Sequence, residues 1–282
     1  MKCLVVYFSL NGTTERVTEA ICSGLTAAGC TVETHNLKDG APPDFKGVDM
    51  LGIGMPVYYY RMPFNVAAYI ESLPDLNGLP VFTYYLYGSY AFDTGAQIKR
   101  SILKKGAMAA GTFSCHGYGL FLGYLKQGYA FSPSHPTGEA LKEAKDFGFR
   151  MGTKHYGPVA EGKRAPLIYR FERFVTNRWL VKIFYSRVLK RTEKCKGCGL
   201  CAAECPTGNI SLPERGSRPK WFRNCILCLT CAQKCPQEAV VSPFSWPVFT
   251  PFLRYNITQA TRDEALSHAK VKHTKGKVTK VG

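Results

Sequence analysis

Acidic residues are scarce in this chain: 20 Asp and Glu stand against 37 Lys and Arg, a formal net charge of +17 over 282 residues. A surface so poor in acid is suited to acidic partners. Long apolar runs are missing too, and no stretch approaches the roughly 18 residues of a membrane span. The opening segment has one basic residue before the short apolar run Cys3–Phe8. That run is too short for a secretory core and no small-residue cleavage site follows it, so a cytoplasmic protein is expected. No GK[ST] sequence follows the first apolar run, which disfavours a triphosphate P-loop. Gly117, Gly119 and Gly123 do not fit GxGxxG and do not follow the first strand, so no dinucleotide site is expected. No paired carboxylates or nucleophile–base set suggests a separate active site. No recognition motif accompanies the positive charge, so nucleic acid is not an expected partner.

Hydrophobic residues make up 45% of the chain and charged residues 20%, which is the composition of a globular protein. The charge is uneven. Residues 1–150 carry 13 basic and 12 acidic residues (13 − 12 = +1), and residues 151–282 carry 24 and 8 (24 − 8 = +16). The 12 cysteines are uneven as well. Eight lie between Cys195 and Cys235, whereas Cys3, Cys22, Cys30 and Cys115 are scattered and read as small buried apolar residues. Without a secretion signal, this usage argues for metal or redox chemistry over disulfides.

Residues 1–151 alternate strand and helix. Lys2–Phe8, Thr31–Asn36, Val48–Met55, Pro80–Tyr87 and Thr112–Tyr118 read as strands. Thr13–Ala28, Pro63–Leu73, Thr94–Lys105 and Thr137–Met151 read as helices, punctuated by Gly29, Gly106 and flanking prolines. The pattern predicts an α/β fold with a doubly wound, five-stranded parallel sheet, whose ligands sit beyond the carboxyl ends of the strands. Residues 152–192 read as a basic connector with one helix from Pro166 to about Lys190. Leu167, Phe171, Phe174, Val181 and Val188 share one face of it, and Trp179, Ile183 and Phe184 fall elsewhere. Residues 193–241 form the cysteine module. Residues 242–282 read as a Pro- and aromatic-rich wrap, followed from Lys270 by a disordered basic tail with five lysines and no acid.

Within the module, Cys195-x2-Cys198-x2-Cys201-x3-Cys205-Pro206 is followed by Cys225-x2-Cys228-x2-Cys231-x3-Cys235-Pro236. This is the spacing of a two-cluster ferredoxin. Three thiolates two residues apart wrap one face of a cubane, and the fourth leaves on the next turn and reaches the other cube. The expected ligand sets are Cys195, Cys198, Cys201 with Cys235, and Cys225, Cys228, Cys231 with Cys205. Structural zinc uses two cysteine pairs and would leave the third cysteine of each run idle. Two [4Fe–4S] clusters are therefore expected, in a small α+β domain.

Between the first strand and first helix lies Ser9-Leu10-Asn11-Gly12-Thr13-Thr14, hydroxyl- and amide-rich and free of Lys and Arg. It can cradle a phosphomonoester at a helix N-terminus, or simply cap that helix. Strand three runs into Pro56-Val57-Tyr58-Tyr59 and strand four into Gly88-Ser89-Tyr90-Ala91. Their aromatics could sandwich a flat ring or serve as core. On these loops the first ~150 residues resemble a flavodoxin, and the whole chain resembles the flavodoxin–ferredoxin fusion proteins of anaerobes. The resemblance implies FMN, with phosphate contacts from Ser9, Asn11, Gly12, Thr13 and Thr14. It implies ring contacts from Pro56, Val57, Tyr58, Tyr59, Gly88, Ser89, Tyr90 and Ala91. The aromatic loop Gly117–Pro136, with Tyr118, Tyr124, Tyr129 and His135, could close over the flavin or meet the cluster domain.

The expected function is single-electron transfer between two [4Fe–4S] clusters and an FMN, linking a ferredoxin-type pool to a redox enzyme. Alternatives are an FMN-dependent reductase of a small organic acceptor fed by the clusters, and a flavin-free iron–sulfur docking adaptor. An acidic redox protein is the first partner to consider, and an anionic membrane surface the second.

Overall fold

The computed structural model describes residues 1–44, 46–159, 162–186 and 189–281. The chain divides into two compact units. One comprises Met1–Gly117 with Ser134–Phe174, the other Tyr118–Pro133 with Val175–Gly282.

In the first unit, strands β1 (Lys2–Tyr7), β2 (Thr31–Asn36), β3 (Met50–Pro56), β4 (Pro80–Tyr87) and β5 (Met108–His116) form one sheet in the order β2-β1-β3-β4-β5. All neighbours are parallel. Their continuous apolar runs follow from burial on both faces: Val5 and Val6, successive and so oppositely directed, are both fully buried. Helices α1 (Thr13–Ala27) and α5 (Gly138–Gly152) pack together on one face, against a core containing Val5, Tyr7, Phe82 and Tyr84. They approach so closely that a Cβ on Gly24 would sit 1.9 Å from the Lys145 carbonyl oxygen. Helices α2 (Phe64–Ser72) and α3 (Thr94–Leu103) complete the alternation, and the short α4 (Leu122–Lys126) belongs to the second unit. Strand β5 begins at Met108 instead of Thr112, since Met108–Gly111 pair with β4 across a register shift at Val81 and Phe82.

The connector is not one helix. Helix α6 (Leu167–Val175) ends, Asn177 starts a new helical turn at Arg178–Leu180, and Val181–Tyr185 continues as π-helix. The Asn177 side chain accepts a hydrogen bond from the Leu180 amide at 3.0 Å, a local bond that competes with continued helix and so divides the segment. Val188 lies outside the described residues.

The second unit contains the cysteine module, built on two antiparallel ribbons. β7 (Lys190–Arg191) pairs with β10 (Val240–Val241), and β8 (Ile210–Ser211) pairs with β9 (Lys220–Trp221). Residues 243–249 form two 3-10 turns that lead into the helix Thr250–Arg262. The lysine-rich tail is ordered, contrary to the sequence expectation. Strands β11 (His268–Thr274) and β12 (Lys277–Lys280) form a hairpin, and β11 also pairs with β6 (Tyr129–Phe131). Alternation explains it: Ala269 and Val271 point into a small core with Leu125 and Ala130, while Lys270 and Lys272 point out. Lys275 and Gly276, both at positive φ, make the turn. The aromatic segment after β5 thus belongs with the second unit, and the sequence-based limit at residue 151 divides the chain differently from its folding units.

Candidate functional site

Each cysteine run has the same backbone plan. Gly197, Gly199 and Gly208 lie at φ 63°, 83° and 59° in the first run; Leu227, Leu229 and Glu238 occupy the matching places in the second at φ 58°, 60° and 48°. Left-handed backbone at side-chain-bearing residues is costly and persists only where the surroundings impose it. Here it turns the loop so that successive thiols face inward. Cys195, Cys198, Cys201 and Cys235 line one cavity that is open to solvent. Cys205, Cys225, Cys228 and Cys231 line a second. The structure therefore brings together the two sets of four that the spacing implies. Among the described residues, no three His, Cys, Asp or Glu side chains converge tightly enough for one metal ion to join them.

Backbone amides point at the sulfurs. Asn209 N–H donates to Cys205 Sγ at 3.2 Å, and Ala239 N–H, four residues after Cys235, donates to Cys235 Sγ at 3.3 Å. Leu227 N–H donates to Cys225 Sγ at 3.3 Å. Burial, with Cys228 and Cys205 close by, pushes the Cys225 thiol up to about 12, and burial beside Cys228 and Cys225 raises Cys231 well above the ordinary thiol range. Four sulfurs crowded around one cavity are the donor set of an iron–sulfur site. Glu204 and Lys234, each just ahead of the last cysteine of its run, form an ion pair at 2.8 Å. The C-terminal hairpin braces this place: His273 Nε2 hydrogen-bonds the Gln233 carbonyl at 2.8 Å, and a Cβ on Gly276 would meet the Lys234 carbonyl at 2.6 Å.

In the first unit, the three predicted loops all follow carboxyl ends of strands β1, β3 and β4, around the point where the strand order reverses. Ser9 and Thr14 are buried, Asn11 is exposed, and Gly12 and Thr13 are half-buried. Gly12, at φ 75°, precedes α1 and has no side chain with which to cap it. Ser9 Oγ accepts from the Glu15 amide at 3.4 Å. The loop is clamped by Asn36, which sequence reading missed. Asn36 Oδ1 accepts from the Ser9 amide at 3.2 Å, and Asn36 Nδ2 donates to the Ser9 carbonyl at 3.1 Å. The polar residue ending an otherwise regular β2 was the available signal. A helix start beside neutral hydroxyls, with only its Glu15 amide taken by Ser9, suits a phosphate.

The ring loops are shaped by strain. Tyr58 and Arg61 exchange backbone hydrogen bonds at 2.9 and 3.0 Å, with Tyr59 and Tyr60 between them at φ 49° and 59°. Pro56, Val57, Tyr58 and Tyr59 are half-buried, as are Gly88, Ser89, Tyr90 and Ala91. Tyr58 meets Phe8 edge-on. Tyr90 stacks on Phe92, with ring centroids 5.3 Å apart, and both join Tyr60 and Tyr169 of α6 in one cluster. Tyr169 was not singled out from sequence. Arg173 of α6 pairs with Asp93 at 2.6 Å, and the Arg61 guanidinium donates to the Arg173 carbonyl. Burial, with Arg173 beside it, lowers Arg61 to about 10.

Residues 4–122 match the family model described as a flavodoxin domain, and residues 194–239 match the 4Fe–4S dicluster domain. The chain is a fusion of a flavodoxin domain with a 4Fe–4S dicluster domain. The first family implies a flavin and the second iron–sulfur clusters. Among solved structures, a flavodoxin from the domain Archaea is 20% identical, with TM-score 0.42, covering 55% of this chain and 98% of its own. Oxidised flavodoxin 2 from Bacillus cereus is 16% identical, with TM-score 0.43, covering 55% and 99%. Among curated proteins, the DNA-directed RNA polymerase subunit Rpo3 of Methanosarcina acetivorans is 33% identical over 81 residues, 28% of this chain. The same subunit of Methanosarcina mazei matches over the same length. The fusion spans 30% of the length of these curated relatives. No helix among the described residues is long and apolar enough to cross a membrane.

Proposed function

We propose that the fusion relays single electrons between two [4Fe–4S] clusters and one FMN, linking a ferredoxin-type pool to a redox enzyme. The observation that carries this reading is the pair of separate cavities, each lined by four cysteines. When bound, the clusters supply one-electron chemistry and the flavin one- or two-electron chemistry. The chain's own part is to bind and tune. Cys195, Cys198, Cys201 and Cys235 would hold one cluster, and Cys205, Cys225, Cys228 and Cys231 the other. The amides of Asn209, Leu227 and Ala239 donate to the sulfurs, favouring their negative charge. Ser9, Asn11, Gly12, Thr13 and Thr14 would take the FMN phosphate, with Asn36 holding the loop. Pro56, Val57, Tyr58 and Tyr59, with Gly88, Ser89, Tyr90 and Ala91, would flank the ring. The excess of +16 in residues 151–282 favours an acidic redox protein as partner.

Anaerobic purification followed by iron, sulfide and FMN determination tests the reading. About eight irons and one FMN per chain are expected. Cys231→Ala should bring iron down to roughly four and leave FMN unchanged. A chain holding zinc, or iron without flavin, would refute the relay.

A further inference from the structure

Helix α6 is built the wrong way round for a helix that only packs inward. Its inward side carries Tyr169 and Glu172, both buried, and the half-buried Arg173. Its outward side carries Leu167, Phe171 and Phe174, spaced i, i+4, i+7, with exposures of 77%, 62% and 67%. That stripe cannot be hidden by rolling the helix. Tyr169 is held among Tyr60 and Phe92 at centroid distances of 4.7 and 4.9 Å, and Arg173 is paired with Asp93. The Arg61 guanidinium on the Arg173 carbonyl fixes the same side. Three large apolar side chains in one row on a nine-residue helix are therefore kept in water by the fold itself.

We infer that the exposed stripe Leu167, Phe171 and Phe174 of α6 is a docking surface for an anionic lipid bilayer. Charge supports that occupant: Lys163, Arg164 and Arg170 are all exposed on or just ahead of the helix, and its one acid, Glu172, is turned inward. A helix with bulky apolar groups on one side and flanking Lys and Arg settles in the headgroup region, with its apolar row in the acyl boundary. Anionic headgroups add the attraction of each nearby cation. The surface stands apart from the electron-transfer reading, because none of its residues belongs to the cysteine cavities or the three loops. Trp179, Ile183 and Phe184, the next exposed apolar residues along the chain, belong to the second unit and are not needed for it.

The test is vesicle flotation of the full-length, anaerobically purified protein, with phosphatidylcholine alone and with phosphatidylcholine mixed with phosphatidylglycerol. Binding is expected to the mixed vesicles and to fall with salt. Phe171→Ser combined with Phe174→Ser should lower the partition at least about tenfold, whereas Phe171→Leu with Phe174→Leu should retain it. Iron and FMN content should be the same in all three proteins, since the replaced side chains face solvent. No binding to mixed vesicles would overturn the inference, and so would binding that the serine variants leave intact. A loss confined to self-association, or to capture of an acidic redox protein, would assign the stripe to a protein partner and overturn it equally.

Discussion

Leu227, Leu229 and Glu238 repeat, with side chains, a backbone path that the first cysteine run follows with glycines. The leucines are buried and have a use there, since Leu229 lines the second cavity. Glu238 is exposed and has only the strain. Glu238→Gly should therefore raise the stability of the cofactor-loaded protein by about 1 kcal/mol, measured as a higher unfolding midpoint under anaerobic conditions. Asn36 presents the opposite case, a small residue that holds two groups. Replacing it with Ala leaves the buried Ser9 amide and carbonyl without their partners, which costs about 1–3 kcal/mol. The loss should appear both in thermal stability and as weaker FMN retention in a fluorescence titration. Unchanged FMN affinity would show that the Ser9 loop does not depend on its clamp.

Among the elements, α6 and the C-terminal hairpin hold consequences that their composition conceals. Burial alone would raise the Asp93 carboxyl, but the hydrogen bond and charge of Arg173 outweigh it and leave it below the usual range. A depressed folded value means that the pair stabilises the protein fully above the unfolded value of about 4 and loses this as pH falls through the folded one. The stability difference between wild type and Asp93→Asn should thus be largest at neutral pH and shrink in acid, as read from denaturant midpoints. Deleting residues 268–281 should do more than remove charge. It strips β6 of its partner strand and removes the brace at Gln233 and Lys234, so loss of cluster absorbance on mild heating is expected. Replacing Lys272 and Lys277 with Gln should leave that absorbance intact, because both side chains face water.

These elements also mark what could be read beforehand. The alternation of apolar runs and helices up to Met151 was plain because burial on both sheet faces writes continuous hydrophobicity and glycine and proline punctuate it. The cysteine pairing into two cavities was legible because spacing alone limits reach. The hairpin departs from its composition: five lysines suggest disorder, yet Ala269 and Val271 keep a period of two between them, and Lys275-Gly276 supplies the turn. The break at Asn177 hid within a segment rich in helix formers. Tyr169 acts through contacts distant in sequence that no local pattern announces, and Asn36 shows locally only as the polar end of β2.

At the scale of the whole molecule, charge and connectivity matter most. With +16 placed in residues 151–282, electron exchange with an acidic protein should slow as ionic strength rises, which stopped-flow rates at increasing salt would reveal. Rates indifferent to salt would count against steering by charge. Connectivity has a plainer result. Because Tyr118–Pro133 leaves the first unit's stretch of sequence to supply β6 to the second, no single cut in the gene yields two intact proteins. A fragment ending at Phe174 keeps an orphaned strand, and one starting at Val175 exposes β11 as a bare sheet edge prone to sticking to its like. The flavin-type and ferredoxin-type halves are spliced through each other, and any attempt to study or exchange one of them must carry a piece of the other along.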